Sequence, residues 1–190
     1  MIKQISALIA CLAIVSCSSV PNHASSTRLS VMNQDHFAMQ GKASRFSPVH
    51  VLNAITQKDF SMKPDIAYGQ HPRQKLDVYM PLAQTSDSLA KPVILFVYGG
   101  AWTTGNKNDY LFVGESFSKA GYVTAVMNYR LAPQHKYPDY VQDTALALKW
   151  ISDHIQQYGG DPKQIVVMGH SAGAFNAVEA VDNQRWLDEV

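Results

Sequence analysis

The chain has 190 residues, of which 46% are hydrophobic and 16% are charged, and its formal net charge at pH 7 is +1. This composition predicts a globular protein with a sizeable core and excludes an intrinsically disordered chain. A net charge so close to zero gives no electrostatic reason to expect a nucleic-acid partner. The sequence has no Walker-type phosphate loop and no Cys–His cluster with metal-ligand spacing, so we expect no metal site.

The first 17 residues are typical of a bacterial export signal. Lys3 precedes an apolar run over residues 5–15, which is too short to span a bilayer comfortably. Residues 14–17, Ile-Val-Ser-Cys, resemble a lipobox, in which Cys17 is acylated and becomes the mature N-terminus. The alternative is a plain signal peptide cleaved nearby. Because Ser18 follows the cysteine, we expect an outer-membrane lipoprotein held by its lipid anchor, or otherwise a periplasmic or secreted protein.

A polar segment and three short elements follow the signal. Residues 18–44 are Ser-rich and aperiodic, which favours a tether to a domain over residues 45–190. Residues 47–57 predict a short helix. Residues 65–69 and 74–81 alternate apolar and polar side chains around a turn, which predicts a β-hairpin ending at Pro81.

Three continuous apolar runs then predict buried parallel strands, at residues 92–98, 122–129 and 164–169. Between them, one helix capped by Asn108 or Asp109 is expected to stop at Gly121, and a second to run from about residue 138 to 158. Strands that alternate with helices in this way predict an α/β fold with a mostly parallel sheet.

Residues 169–173, Gly-His-Ser-Ala-Gly, follow the third buried run. A serine on such a sharp strand-to-helix turn adopts a strained backbone, and side chains larger than glycine at Gly169 and Gly173 would collide. The turn places Ser171 at the carboxyl end of the sheet, where ligands of α/β folds bind. We expect Ser171 to be a nucleophile, with the backbone N–H of Ala172 stabilising an oxyanion.

A second motif, Tyr98-Gly-Gly-Ala-Trp102, directly follows the first buried run. Glycines there allow the backbone to approach a ligand and to present N–H groups to it. Gly100 and Ala101 are therefore the candidates for the remaining oxyanion donors. The alternative interpretation is an ordinary turn at the end of a strand.

Together these segments resemble the α/β-hydrolase carboxylesterases, and in particular the branch of hormone-sensitive-lipase-like, bacterial feruloyl-esterase-like and arylformamidase-like enzymes. The motifs of the resemblance are YGGAW (98–102), NYRLAPQHKYP (128–138), YGGDP (158–162) and GHSAGA (169–174). The resemblance covers residues 46–182. It implies the α/β-hydrolase fold, a small-molecule ester substrate, a Ser171 acyl-enzyme, oxyanion donors at Gly100, Ala101 and Ala172, and no cofactor.

The sequence departs from that family in two respects. Tyr98 stands where the family has a histidine that braces the glycine loop. No histidine follows Ser171, although the family order is serine, acid, histidine. Loss of the base from such a triad costs about 10⁶-fold in kcat, so we expect this chain alone to be nearly inert. We also expect it to be the N-terminal part of an esterase, without the last strands of the sheet.

Two alternative functions remain open, namely an arylformamidase-like amidase and an inactive, membrane-tethered interaction protein derived from an esterase. Of the other side chains, Arg130 and Asp143 are expected to form a bracing pair. Trp102 and Tyr110 are expected either to line the substrate pocket or to pack in the core. Lys107 is expected to be a solvated surface charge.

Overall fold

The computed structural model describes residues 48–56, 60–82 and 89–190. The predicted signal peptide, Cys17 and the tether lie outside these residues. The strands within them are Ser61–Ala67 (β1), Lys75–Met80 (β2), Lys91–Val97 (β3), Val123–Met127 (β4) and Gly160–Gly169 (β5). The α-helices are Pro48–Ile55 (α1), Leu111–Lys119 (α2), Asp139–His154 (α3), Ala172–Asp182 (α4) and Arg185–Asp188 (α5).

The strands form one mixed sheet in the order β1-β2-β4-β3-β5. β1 and β2 are the predicted antiparallel hairpin, and β2 continues antiparallel to β4. The three apolar runs are parallel strands, as predicted, with β3 between β4 and β5. The α/β fold class is therefore confirmed. The sheet is mixed rather than mostly parallel, because the hairpin adds two antiparallel pairings to the two parallel ones.

The core lies where these strands meet their helices. All five residues of β4 and the last five of β3 are buried, as expected for parallel strands covered on both faces. α2 packs on β2 and β4, whereas α3 and α4 pack on each other and on β5. The carboxyl ends of β3, β4 and β5 therefore lie along one edge of the sheet.

Two of the element boundaries that differ from the predictions depend on neighbouring segments. Neither Asn108 nor Asp109 caps α2. The residue before α2 is Tyr110, whose side chain makes no capping hydrogen bond, and the side-chain cap lies further upstream at Asn106, which accepts a hydrogen bond from Asn108 N–H at 3.0 Å. A 3₁₀ turn, Lys107–Tyr110, follows this cap, so α2 begins later than predicted. β5 already begins at Gly160, before the strand predicted at residues 164–169, because Gly160 lies opposite Lys91 across a register shift. None of the helices in the described ranges is both long and apolar enough to cross a membrane.

Candidate active site

Ser171 lies on a sharp turn between β5 and α4. Its backbone has φ 52° and ψ −121°, a conformation that is unusual for any residue except glycine. The turn is closed by hydrogen bonds from Gly173 N–H to the His170 carbonyl and from Ala174 N–H to the Ser171 carbonyl, both 2.9 Å long. The side chain is exposed to solvent at the carboxyl end of the sheet. This is the geometry predicted for a nucleophile turn.

The flanking glycines have the predicted steric role. A Cβ atom on Gly169 would lie 2.5 Å from Ala174 N, and one on Gly173 would overlap the carbonyl oxygens of Val97 and Tyr98. Only glycine therefore allows α4 to start directly against the end of β3.

Residues 99–105, called the glycine loop below, lie against this turn. A Cβ atom on Gly99 would be 2.9 Å from Ser171 Cβ and 2.8 Å from the His170 carbonyl oxygen. The next three residues have positive φ angles, 134° at Gly100, 49° at Ala101 and 59° at Trp102. The structure thus brings together the two motifs that lie far apart in the sequence. Gly100 and Ala101 directly follow the residue that touches Ser171.

Ala172 is the first residue of α4 and is buried beside the nucleophile turn. The N–H groups in the first turn of an α-helix have no partner within the helix and carry the positive end of its dipole. The candidate donors Gly100, Ala101 and Ala172 therefore lie around one end of the sheet with Ser171.

Trp102 ties the glycine loop to α4. Its indole N–H donates to Asn176 Oδ1 at 2.9 Å, and its carbonyl accepts a hydrogen bond from Ala132 N–H at 2.8 Å. The ring stacks on Tyr140 with 5.4 Å between the ring centroids. Trp102 is half-buried beside the turn, whereas Tyr110, the other aromatic with two possible roles, is buried against the ring of Tyr98 and belongs to the core.

Tyr98, which replaces the family histidine, is completely buried at the base of the glycine loop. Its hydroxyl accepts a hydrogen bond from Arg73 Nη2 at 2.5 Å and donates one to Asn128 Oδ1 at 3.1 Å. Burial raises the pKa of Tyr98 to about 12, so the phenol is neutral at physiological pH.

Neither Arg73 nor Asn128 was predicted to have a role at the site. Asn128 could have been found, because it directly follows the buried strand β4, whose carboxyl end lies beside that of β3. Arg73 lies in the turn between β1 and β2, and no sequence signal marks it as a neighbour of the glycine loop.

Arg130 and Asp143 form the predicted bracing pair. Arg130 Nε lies 2.9 Å from Asp143 Oδ1, and its backbone N–H donates to Asp143 Oδ2 at 2.7 Å. Asp143 is fully buried and also accepts a hydrogen bond from Gln74 Nε2. The pair fixes the start of the loop between β4 and α3.

The prediction for Lys107 was wrong. Its side chain is 3% exposed, and its ammonium lies 2.7 Å from Asp77 Oδ1 and 2.9 Å from Asp65 Oδ1. Asp77 is equally buried on β2, so the lysine is a buried counter-ion and not a surface charge.

Three histidines in the described ranges make other contacts or only flank the turn. His170 is exposed next to Ser171, His135 Nδ1 lies 2.9 Å from Asp139 Oδ2, and His154 bonds the Trp150 carbonyl on the solvent side of α3. Within the described residues, no hydrogen bond joins a histidine to Ser171 Oγ. The same residues contain no group of three or more His, Cys, Asp or Glu side chains arranged to hold a metal ion.

A family model described as BD-FAE matches residues 76–188, which is more than half of the chain and includes both glycine motifs. The chain belongs to the BD-FAE family. This agrees with the resemblance to α/β-hydrolase esterases drawn from the motifs.

Individual relatives of this BD-FAE chain are named as esterases. It is 38% identical over 65% of its length to a probable isoprenylcysteine alpha-carbonyl methylesterase of Arabidopsis thaliana. It is 30% identical over 75% of its length to the esterase LipC of Mycobacterium tuberculosis. Esterase B from Lactobacillus rhamnosis, solved with a tributyrin phosphonate inhibitor, superposes on 82% of the chain with a TM-score of 0.67 and 25% identity. The chain spans 25% and 35% of the length of the two curated relatives and 51% of esterase B.

Proposed function

We propose that the protein is a serine hydrolase that cleaves small carboxylic esters through an acyl-enzyme on Ser171. The observation that carries this proposal is the contact between the strained Ser171 turn and the glycine loop, which places the Ser171 hydroxyl beside the backbone of that loop and the first turn of α4. The esterase names of the relatives support the same reaction.

In the proposed reaction, Ser171 Oγ attacks the carbonyl carbon of the ester, and the carbonyl electron pair moves onto the oxygen. The N–H groups of Ala172, Gly100 and Ala101 bind that oxyanion, which is typically worth 10²–10³-fold in rate per donor. Collapse of the intermediate expels the alcohol with a proton and leaves an acyl ester on Ser171. Water then releases the acid and restores the hydroxyl.

The proposed reaction also needs a base, because a neutral serine is a poor nucleophile. The described residues show no base hydrogen-bonded to Ser171, and no histidine follows Ser171 in the sequence. We propose that a residue outside the described ranges supplies this base.

The test is hydrolysis of p-nitrophenyl butyrate by the native gene product, together with labelling by a fluorophosphonate. We expect Ser171 to carry the label and Ser171→Ala to lower kcat by about 10³-fold or more. Ser116→Ala is the matched control, because Ser116 is an exposed serine on α2 that bonds only its own helix, at the Phe112 carbonyl. Equal rates in Ser171→Ala and the wild type would overturn the proposal, and a higher rate on an aryl formamide than on the aryl ester would replace it with the amidase.

We also propose that acylated Cys17 holds the protein at the outer membrane. Metabolic labelling with an alkynyl fatty acid should mark the wild type and not Cys17→Ser. Equal labelling of the two proteins, or none, would exclude this anchor.

A further inference from the structure

We propose that Arg73 and Tyr98 are positioning residues that clamp the glycine loop at both of its ends, and so hold the oxyanion donors Gly100 and Ala101 in place. This inference rests on the proposed function of Ser171. Neither side chain contacts Ser171 in the described hydrogen-bond network, so both act through the loop.

Arg73 reaches the two ends of the loop with one guanidinium. Its Nη2 donates to the Tyr98 hydroxyl at 2.5 Å, just before the loop, and to the Gly105 carbonyl at 2.9 Å, at the last loop residue. Its Nε donates to the Tyr129 carbonyl at 2.7 Å, which fixes the guanidinium to the segment after β4. A guanidinium presents its donors in one rigid plane, so these three acceptors are held at fixed relative positions.

Tyr98 is the second residue of the clamp. Its ring lies between Tyr110 and Tyr129, with centroid distances of 5.6 and 4.7 Å, and it fills the space where a side chain on Gly105 would lie. The Tyr129 hydroxyl donates to the Tyr98 carbonyl at 2.9 Å. The Tyr98 ring therefore packs against Gly105, the last residue of the loop, and the Tyr98 backbone leads directly into Gly99, the first.

Asn128 completes the network on the other side of the phenol. Its Oδ1 accepts hydrogen bonds from the Tyr98 hydroxyl at 3.1 Å and from the Lys107 backbone N–H at 2.7 Å. The segment that follows the loop is thus fixed to the same phenol. The buried Tyr98 hydroxyl therefore connects the glycine loop with the turn between β1 and β2 and with the end of β4.

The glycine loop needs such support because its own conformation is strained. Ala101 and Trp102 both have positive φ, which non-glycine residues keep only where the surroundings impose it. A displacement of about 1 Å in a group that stabilises the transition state lowers the rate by about 10²-fold. The clamp therefore acts on kcat through the geometry of the donors.

The test uses Tyr98→Phe and Arg73→Lys in the native gene product. Tyr98→Phe keeps the ring and removes the hydroxyl. Arg73→Lys keeps the positive charge and removes the planar set of guanidinium donors. We expect either variant to lower kcat for an aryl ester by about 10–100-fold with KM nearly unchanged. Tyr79→Phe is the matched control, since the Tyr79 hydroxyl is buried in the same core and has no hydrogen-bond partner among the described residues. We expect its kcat to equal that of the wild type.

A second readout separates positioning from a general loss of structure. Sulfur is a weaker hydrogen-bond acceptor than oxygen, so a thionoester depends less on the oxyanion donors than the matching ester. A clamp variant should therefore lose more rate on the ester than on the thionoester. Equal losses on both substrates, or no loss on either, would overturn the clamp while leaving the Ser171 reaction intact. Hydrolysis that survives Ser171→Ala would overturn both proposals.

Discussion

At the scale of single residues, Lys107 and Asp77 form an ion pair whose burial is costly. Both side chains are only 3% exposed, so neither charge retains its hydration. Each is stable there only because the other compensates it. The second partner, Asp65, is 63% exposed, and its contact with Lys107 is screened by water.

We predict that Lys107→Met lowers the free energy of unfolding by about 3–5 kcal/mol, because it leaves the Asp77 carboxylate buried without a cation. Asp65→Asn should cost less than about 1 kcal/mol. Urea denaturation of the two variants beside the wild type measures both values. Similar small losses in the two variants would show that the buried pair contributes little.

The sequence could not predict this pair, and the reason is physical. A lysine between two asparagines and close to an aspartate has the composition of a surface segment, and the burial of Lys107 depends on a β2 carboxylate that lies far away in the sequence. Ser171 was predictable for the opposite reason. The sharp turn that presents Ser171 needs glycine two positions away on either side, so the local sequence alone reveals it.

At the scale of elements, Trp102 couples the glycine loop to α4. The indole N–H donates to Asn176 Oδ1, and Asn176 is fully buried, with an Nδ2 that has no partner among the described residues. The amide therefore makes a single hydrogen bond to the loop. That bond fixes the loop on the helix that carries the nucleophile turn.

We predict that Trp102→Phe costs about 1–3 kcal/mol beyond the loss of ring area, because it leaves the Asn176 amide unpaired. The double variant Trp102→Phe/Asn176→Leu should not lose this additional stability, since no unpaired buried amide then remains. A double-mutant cycle by chemical denaturation measures the coupling. Strict additivity of the two single changes would contradict it.

Most elements were predictable because their patterns are local. The strands β3, β4 and β5 are continuous apolar runs, and α3 shows its apolar face at steps of three and four. The boundaries at Asn106 and Gly160 were not predictable, since each depends on where a neighbouring segment packs. The clamp at Arg73 was missed for the same reason, because it joins a hairpin turn to a loop from a different part of the sheet.

At the scale of the whole molecule, the core contains a set of buried phenols. Tyr68, Tyr79, Tyr98 and Tyr129 are at most 5% exposed, and burial is the main cause that raises the pKa of each. All four are neutral in the folded protein well above the pH at which a solvated tyrosine ionises.

We predict a loss of stability in alkali that begins near pH 10, the ordinary tyrosine pKa. Above it the unfolded chain releases phenolic protons that the folded chain keeps. The unfolded state then binds fewer protons, so the free energy of unfolding falls as pH rises, by up to about 1.4 kcal/mol per pH unit for each such group. Below pH 10 these phenols should have no effect.

Urea denaturation at a series of pH values checks this prediction, with Tyr98→Phe as the partner of the wild type. The variant lacks one of these protons, so its stability should fall less steeply between pH 10 and about 12. Parallel curves for the two proteins would show that Tyr98 is accessible to solvent in the folded state.

The pairing of β3 with β5 also determines when the nucleophile turn forms during synthesis. Val97 lies opposite Gly169, and all of β4, α2 and α3 lie between them in the chain. A ribosome delivers the N-terminal part first, and contacts between distant segments are slow to close. The hairpin and the glycine loop therefore leave the ribosome well before the segment against which the loop packs. Until β5 arrives, one edge of the apolar strand β3 has unpaired backbone groups, and such an edge is a surface that a chaperone can bind.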